Sequence, residues 1–164
     1  MLTVVVPFRS ASAKSRLGRP DVARAMLEDV LAAARELGHV VVANGGGGQA
    51  AAVSAALHDV DGPALVVNAD LPCATVADLR ALVAATPPGG VAIVAADDGT
   101  TNAISLADAA LFAPVYGPGS AARFLAAGAV SVDVPNLAAD VDRAEDLDRV
   151  RGRVGPRTRA ALDG

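Results

Sequence analysis

The chain has 164 residues, a formal net charge of −4 and a composition that is 52% hydrophobic but only 2% aromatic. One domain of this length buries a useful core, but Ala, Val and Leu must fill it, which favours helices packed closely on a sheet over an aromatic-centred β-sandwich. The negative balance argues against a nucleic-acid partner, and a single cysteine, Cys73, excludes an internal disulfide.

In chain order, residues 2–6 are an apolar, largely β-branched run, the pattern of a strand buried on both faces, and Pro7 ends it. Residues 8–20 form a polar, basic loop. Residues 21–37 carry apolar side chains at helical spacing, with Gly38 as the C′ stop. A second strand follows at 40–43, then the glycine run 45–48 and a helix at 49–57. Residues 64–68 make a third strand. Thr75 caps a helix that runs to about Ala85, with Asp78 in its acidic first turn. Strands follow at 91–95 and, as a short fifth, at 103–106. One helical turn is expected at 108–112, a helix at 120–127 ended by Gly128, a strand at 129–134 and a short helix at 143–150. The tail, 152–164, is polar and expected to fray or dock loosely. Strands alternate with helices, so the fold class is α/β: a single domain, a three-layer Rossmann-like sandwich with a mainly parallel sheet. The apolar run after Met1 is too short for a signal-peptide core or a membrane span, so a cytoplasmic protein without a membrane partner is expected. The oligomeric state is left open.

The third strand hands the chain to N-A-D-L-P, residues 68–72. Asp70 is either an ordinary turn residue or a carboxylate placed at the C-terminal edge of a parallel sheet, where open α/β folds bind ligands. Two more acids, Asp140 and Asp142, lie two apart after the last strand, so in an extended segment they project to one side. Three carboxylates of this kind suit Mg²⁺, which completes its shell with water and substrate phosphate. Equally, Asp142 with Glu145 reads as a capping pair for the following helix. The loop after the first strand carries Arg9, Lys14, Arg16 and Arg19 among serines, which suits a polyphosphate or simply a solvated loop. The glycine run either lets backbone approach a base or phosphate or is a plain connector. Ser120, behind two glycines, either caps its helix or belongs to an anion site. No G-x-S-x-G, paired-Cys or H-E-x-x-H pattern occurs, which speaks against hydrolase triads and zinc.

The order of these segments resembles a known family. V-P-F-R-S-A-S-A-K-S-R-L, N-A-D-L-P, G-T-T-N-A, F-x-P-x-Y-G-P-G-S-x-x-R and D-V-D-x-x-E-D-L, from about residue 2 to residue 150, look like the CofC/FbiD guanylyltransferases. The resemblance implies a nucleotidyltransferase of the nucleotide-diphospho-sugar transferase type. Its reaction joins GTP to phosphoenolpyruvate, or to 2-phospho-L-lactate, with release of pyrophosphate in coenzyme F-420 biosynthesis. It implies Mg²⁺ on Asp70, Asp140 and Asp142, with Lys14 and Arg16 facing the triphosphate; Lys14, Arg16 and Asp70 would be the catalytic residues. Thr101 (Thr100 less favoured), Gly117 and Ser120 would bind the small three-carbon phosphoacid. Arg9, Lys14, Gly46, Gly47 and Gln49 would bind the nucleotide. The chain departs from the family pattern in one place. The strand at 40–43 runs almost directly into the glycine run, so about one βα unit is missing, and Gly48 and Gln49 stand where Leu and Asn are expected.

Overall fold

The structure is a computed structural model that describes residues 1–9 and 16–164. Among these residues a six-stranded sheet has the order β2-β1-β3-β5-β4-β6. The strands are β1 (Thr3–Pro7), β2 (His39–Ala43), β3 (Ala64–Val67), β4 (Val91–Ala95), β5 (Thr101–Leu106) and β6 (Val130–Ser131). β1 pairs in parallel with β2 and β3, and β4 with β6; β5 runs antiparallel between β3 and β4. The helices are α1 (Pro20–Arg35), α2 (Gln49–Leu57), α3 (Val76–Ala84), α4 (Ser120–Ala126), α5 (Pro135–Ala138), α6 (Ala144–Val150) and α7 (Pro156–Asp163), with a 3₁₀ turn at Ala109–Leu111.

Strand alternation builds the three layers. Val4, Val6, Leu65 and Val67 point to one face and pack on Leu27, Val30 and Leu31 of α1, Leu79 and Leu82 of α3 and Leu137 of α5. Val5, Val66, Ile93 and Ile104 point to the other and meet Val53 and Leu57 of α2 and Phe124 of α4. Successive strand side chains face opposite ways, so a strand apolar at every position must be covered on both sides. The expected α/β sandwich is therefore the observed one.

Several local expectations change. β5 begins at Thr101, not Ala103, because two polar residues enter the sheet with partners: Thr101 Oγ1 shares a 2.9 Å hydrogen bond with Ser120 Oγ, and Asn102 Nδ2 donates to Leu137 O at 3.0 Å. β6 keeps only two residues of the expected six, since it is an edge strand and Pro135 soon opens α5. Gly119, at φ 73°, caps α4, so Ser120 is its first helical residue and its side chain is buried. Asp146, not Glu145, caps α6, accepting from Asp142 N at 3.0 Å and Arg143 N at 2.9 Å. Thr75 and Asp78 do form the expected cap of α3, as a reciprocal capping box. Gly38 does not adopt the left-handed conformation of a C′ stop. It is glycine for space, since a Cβ there would lie 2.1 Å from Leu2 O.

The tail is the largest change. Residues 156–163 form α7, docked on α1 by a buried acid. Asp29 of α1 accepts from Thr158 N at 2.8 Å, Thr158 Oγ1 at 2.7 Å and Arg157 N at 3.1 Å, which caps α7 from outside its own sequence. A Cβ on Gly155 would lie 2.5 Å from Asp29 Cγ, so close approach demands glycine there. Leu17, Val22, Met26, Cys73, Val141, Leu147, Val150 and Val154 form a third small core beneath this corner.

Candidate active site

The C-terminal ends of β1, β2 and β3 open on one edge of the sheet. Because β5 is antiparallel, it brings its beginning, Thr101 and Asn102, to that same edge. Two cavities lie there. The larger, ≈ 390 Å³, is lined by Pro7, Phe8 and Arg9 after β1, by Ala43, Gly45 and Gly48 after β2, by Gln49 and Ala52 of α2, and by Asn68, Ala69 and Asp70 after β3, with Ala23 and Met26 of α1. The smaller, ≈ 180 Å³, is lined by Gln49, Asn68 and Asp70 again, together with Asp98, Thr100, Thr101, Asn102, Tyr116, Gly117, Asp140 and Asp142. Gln49, Asn68 and Asp70 belong to both walls, so the two spaces meet there.

Polar bonds fix this shared wall. Gln49 Nε2 donates to Asn68 Oδ1 at 2.6 Å, and Asn68 Nδ2 donates to Thr101 O at 3.2 Å. The first residue of α2, the end of β3 and the start of β5 are thus joined by side chains. Asn102 Nδ2 also donates to Asp140 Oδ1 at 3.1 Å, and Val141 N donates to Asp70 O at 3.0 Å. The segment carrying Asp140 and Asp142 is held beside Asp70 by these two contacts. Burial pushes the Asp140 carboxyl above its ordinary value; the Asn102 bond opposes this, and the charges of Asp70 and Asp142 add to it. Three carboxylates therefore concentrate negative charge at the smaller cavity. Among the described residues, no group of three or more His, Cys, Asp or Glu is set closely enough to hold a metal ion by itself.

The residues singled out in the sequence distribute as follows. Asp70, Asp140, Asp142, Thr101 and Gly117 come together on the smaller cavity, and Arg9 and Gln49 on the larger. Ser120 sits behind Thr101 and bonds to its hydroxyl. Gly46 and Gly47 lie on the glycine loop, whose wall residues are Gly45 and Gly48. A Cβ on Gly48 would meet Arg9 Nη2 at 3.7 Å, so this loop and Arg9 face each other. Arg16 is exposed and lines neither cavity. Lys14 lies outside the described residues. Sequence reasoning did not single out Asn68, Asn102 or Tyr116. The signal for the two asparagines was an amide at the border of an apolar run, where a strand has no need of one.

No family model matches the chain. Solved structures similar to it include a protein from Desulfovibrio desulfuricans named as a nucleotide-diphospho-sugar transferase (TM-score 0.69, 15% identity, 99% of this chain and 94% of that one). A nucleotidyl transferase from Methanothermobacter is also similar (TM-score 0.62, 17% identity, 93% and 96%). The fold is that of the nucleotidyltransferases of the nucleotide-diphospho-sugar transferase type. Closer in sequence are the phosphoenolpyruvate guanylyltransferases of Streptomyces scabiei (33% identity, 97% of this chain and 94% of the relative) and Nocardia farcinica (44%, 60% and 45%). A 2-phospho-L-lactate guanylyltransferase of Methanosphaerula palustris is 35% identical over 68% of this chain and 63% of the relative. The chain belongs to this guanylyltransferase family. It spans about half the length of some relatives, 45% for Nocardia farcinica. Its alignment to the Streptomyces scabiei protein runs over 204 positions against a chain of 164, so at least 40 of them have no counterpart here. This agrees with the expectation of a missing segment.

Proposed function

We propose that this chain is a cytoplasmic guanylyltransferase that transfers GMP from GTP to phosphoenolpyruvate, with release of pyrophosphate, in coenzyme F-420 biosynthesis. 2-Phospho-L-lactate is the alternative acceptor. The observation that carries the reading is the pair of cavities sharing Gln49, Asn68 and Asp70: a larger one suited to a nucleotide and a smaller polar one suited to a compact acid. Both substrates then meet at one wall.

The acceptor phosphate is an anion at neutral pH, so its oxygen attacks the α-phosphorus without a general base. Catalysis reduces to holding two anions in line and offsetting the charge on the departing pyrophosphate. Arg9, with Lys14 and Arg16 of the same loop, would supply cations to the triphosphate. Thr101 and Gly117 would orient the phosphoacid, with Ser120 setting the Thr101 hydroxyl. Asp70, Asp140 and Asp142 would hold Mg²⁺. The donor set fits: it is all oxygen and negatively charged, and Mg²⁺ needs only one or two carboxylates beside water and substrate phosphates. When bound, the ion neutralises phosphate charge.

The test is pyrophosphate release from GTP and Mg²⁺ with each acid supplied separately. Release with one acid, abolished by Asp70→Asn in a folded protein, is the expected result. The residues missing relative to longer relatives motivate a second reading, a nucleotide-binding protein without turnover. GTP binding with no release under saturating acceptor would establish that one instead.

A further inference from the structure

The two edges of the sheet are built differently. β6 is only two residues long and Pro135 follows soon after, so it offers a neighbour little to pair with. β2 has five residues in unbroken register with β1, and among the described residues its outer edge meets no strand. It carries no proline, bulge or charged side chain, the devices that keep exposed edges from pairing. His39 N donates to Leu2 O at 3.0 Å and Phe8 N donates to Ala43 O at 2.9 Å, so residues 39, 41 and 43 bond towards β1. The N–H and C=O groups of Val40 and Val42 therefore point outward.

The charge pattern extends this edge into a surface. Residues 37–58 hold no Asp, Glu, Lys or Arg, the longest such stretch in a chain that is 20% charged. They comprise β2, the connection 44–48 and α2, which packs beside β2. Much of the stretch is not core: Val42 is 40% exposed, and Ala51, Ser54 and Ala55 of α2 face solvent. The outer face of a surface helix ordinarily carries charged side chains, and this one has none. A foreign partner finds no charge here to steer it. A second copy of the chain fits by symmetry. About a two-fold axis at Val41, Val40 lies opposite Val42 of the second copy, each pair exchanging both N–H···O bonds, and Val41 faces its own counterpart. The net charge of −4 sets other faces of two copies against each other, whereas this stretch brings no like charges together.

We propose that this surface is a homodimer interface. The β2 strands of two copies pair antiparallel and join two six-stranded sheets into one, with α2 of each copy beside the seam. Gly45, Gly48, Gln49 and Ala52 of the same stretch wall the larger cavity, so pairing steadies the strand from which that wall leaves the sheet.

The test needs no substrate, so its outcome is independent of the reaction proposed above. Sedimentation velocity of the full chain is run from about 1 to 100 µM on the wild type, Val42→Lys and Val130→Lys. The wild type and Val130→Lys, charged on the opposite edge, should sediment as dimers. Val42→Lys should weaken the dimer at least about tenfold, with an unchanged circular dichroism spectrum, because the axis sets two lysines close together. A second measurement reads the register. Facing residues of a non-hydrogen-bonded antiparallel pair lie about 4.5 Å apart at Cα, within reach of a disulfide. Val41→Cys under oxidised glutathione should therefore give a covalent dimer, and Val130→Cys should not; the native Cys73 is buried. A wild type that stays monomeric throughout, assemblies larger than a dimer, a dimer untouched by Val42→Lys, or no link through Val41→Cys would each overturn the proposal.

Discussion

At the scale of single residues, the site trades stability for charge. Asp140 is half-buried, bonded to Asn102 and faced by two other acids. Asp140→Asn keeps the shape and removes one of three like charges. It should raise the melting temperature in metal-free buffer while lowering turnover by about a hundredfold or more. Thermal unfolding with and without Mg²⁺ checks the pairing: the wild type should gain stability from the ion and the variant should gain less. Gly38 shows the opposite case, a residue held by space alone. Gly38→Ala sets a methyl group against Leu2 O, where the first two strands begin, and should cost about 1–3 kcal/mol. Denaturant unfolding measures it, and an unchanged midpoint would show that the β1–β2 edge can shift.

At the scale of elements, the ends of helices matter more than their middles. α4 steadies the loop before it: Arg123 donates to Pro118 O at 2.8 Å, Val115 O at 2.9 Å and Tyr116 O at 3.3 Å. A lysine is a point charge on a flexible stem and cannot make this fork of bonds. Arg123→Lys should therefore raise KM for the phosphoacid several-fold while leaving kcat and the KM for GTP nearly unchanged; a fall in kcat alone would contradict this. α7 depends on Asp29. Asp29→Ala leaves three donors unmade, two of them buried, and should cost about 2–4 kcal/mol, with Asp29→Asn costing less. Limited proteolysis between α6 and α7 reads the same loss as faster cleavage. This helix was not legible in the sequence. Its composition is polar, and its cap lies on α1, 129 residues away in sequence. β1, β3 and the α3 capping box were legible because their signals are local: β-branched runs, and Thr75 three residues from Asp78.

At the scale of the whole molecule, the antiparallel β5 brings Thr101 and Asn102 to the edge where the two cavities open. The alternating pattern disclosed the layered α/β fold, and the acids at strand ends pointed to the edge where the two cavities open. It did not disclose β5's direction or full length, because Thr101 and Asn102 read as loop until their distant partners are known. Asn102 connects the sheet to the segment of Asp140 and to α5 at once. Asn102→Ala should leave the secondary structure intact by circular dichroism yet cut turnover at least tenfold, since Asp140 loses its anchor. Full activity in that variant would show that the α5–α6 segment holds its own position.

The turn that presents Asp70 is pinned twice by main chain from far downstream. Val141 N reaches Asp70 O at 3.0 Å, and Gly155 N reaches Pro72 O at 2.8 Å. Domains are made from the N-terminus forward on the ribosome. The three parallel strands beneath the larger cavity are therefore complete long before either pin exists. A nascent chain halted before residue 141 holds those strands but neither pin, so the turn that carries Asp70 is secured only by segments made later.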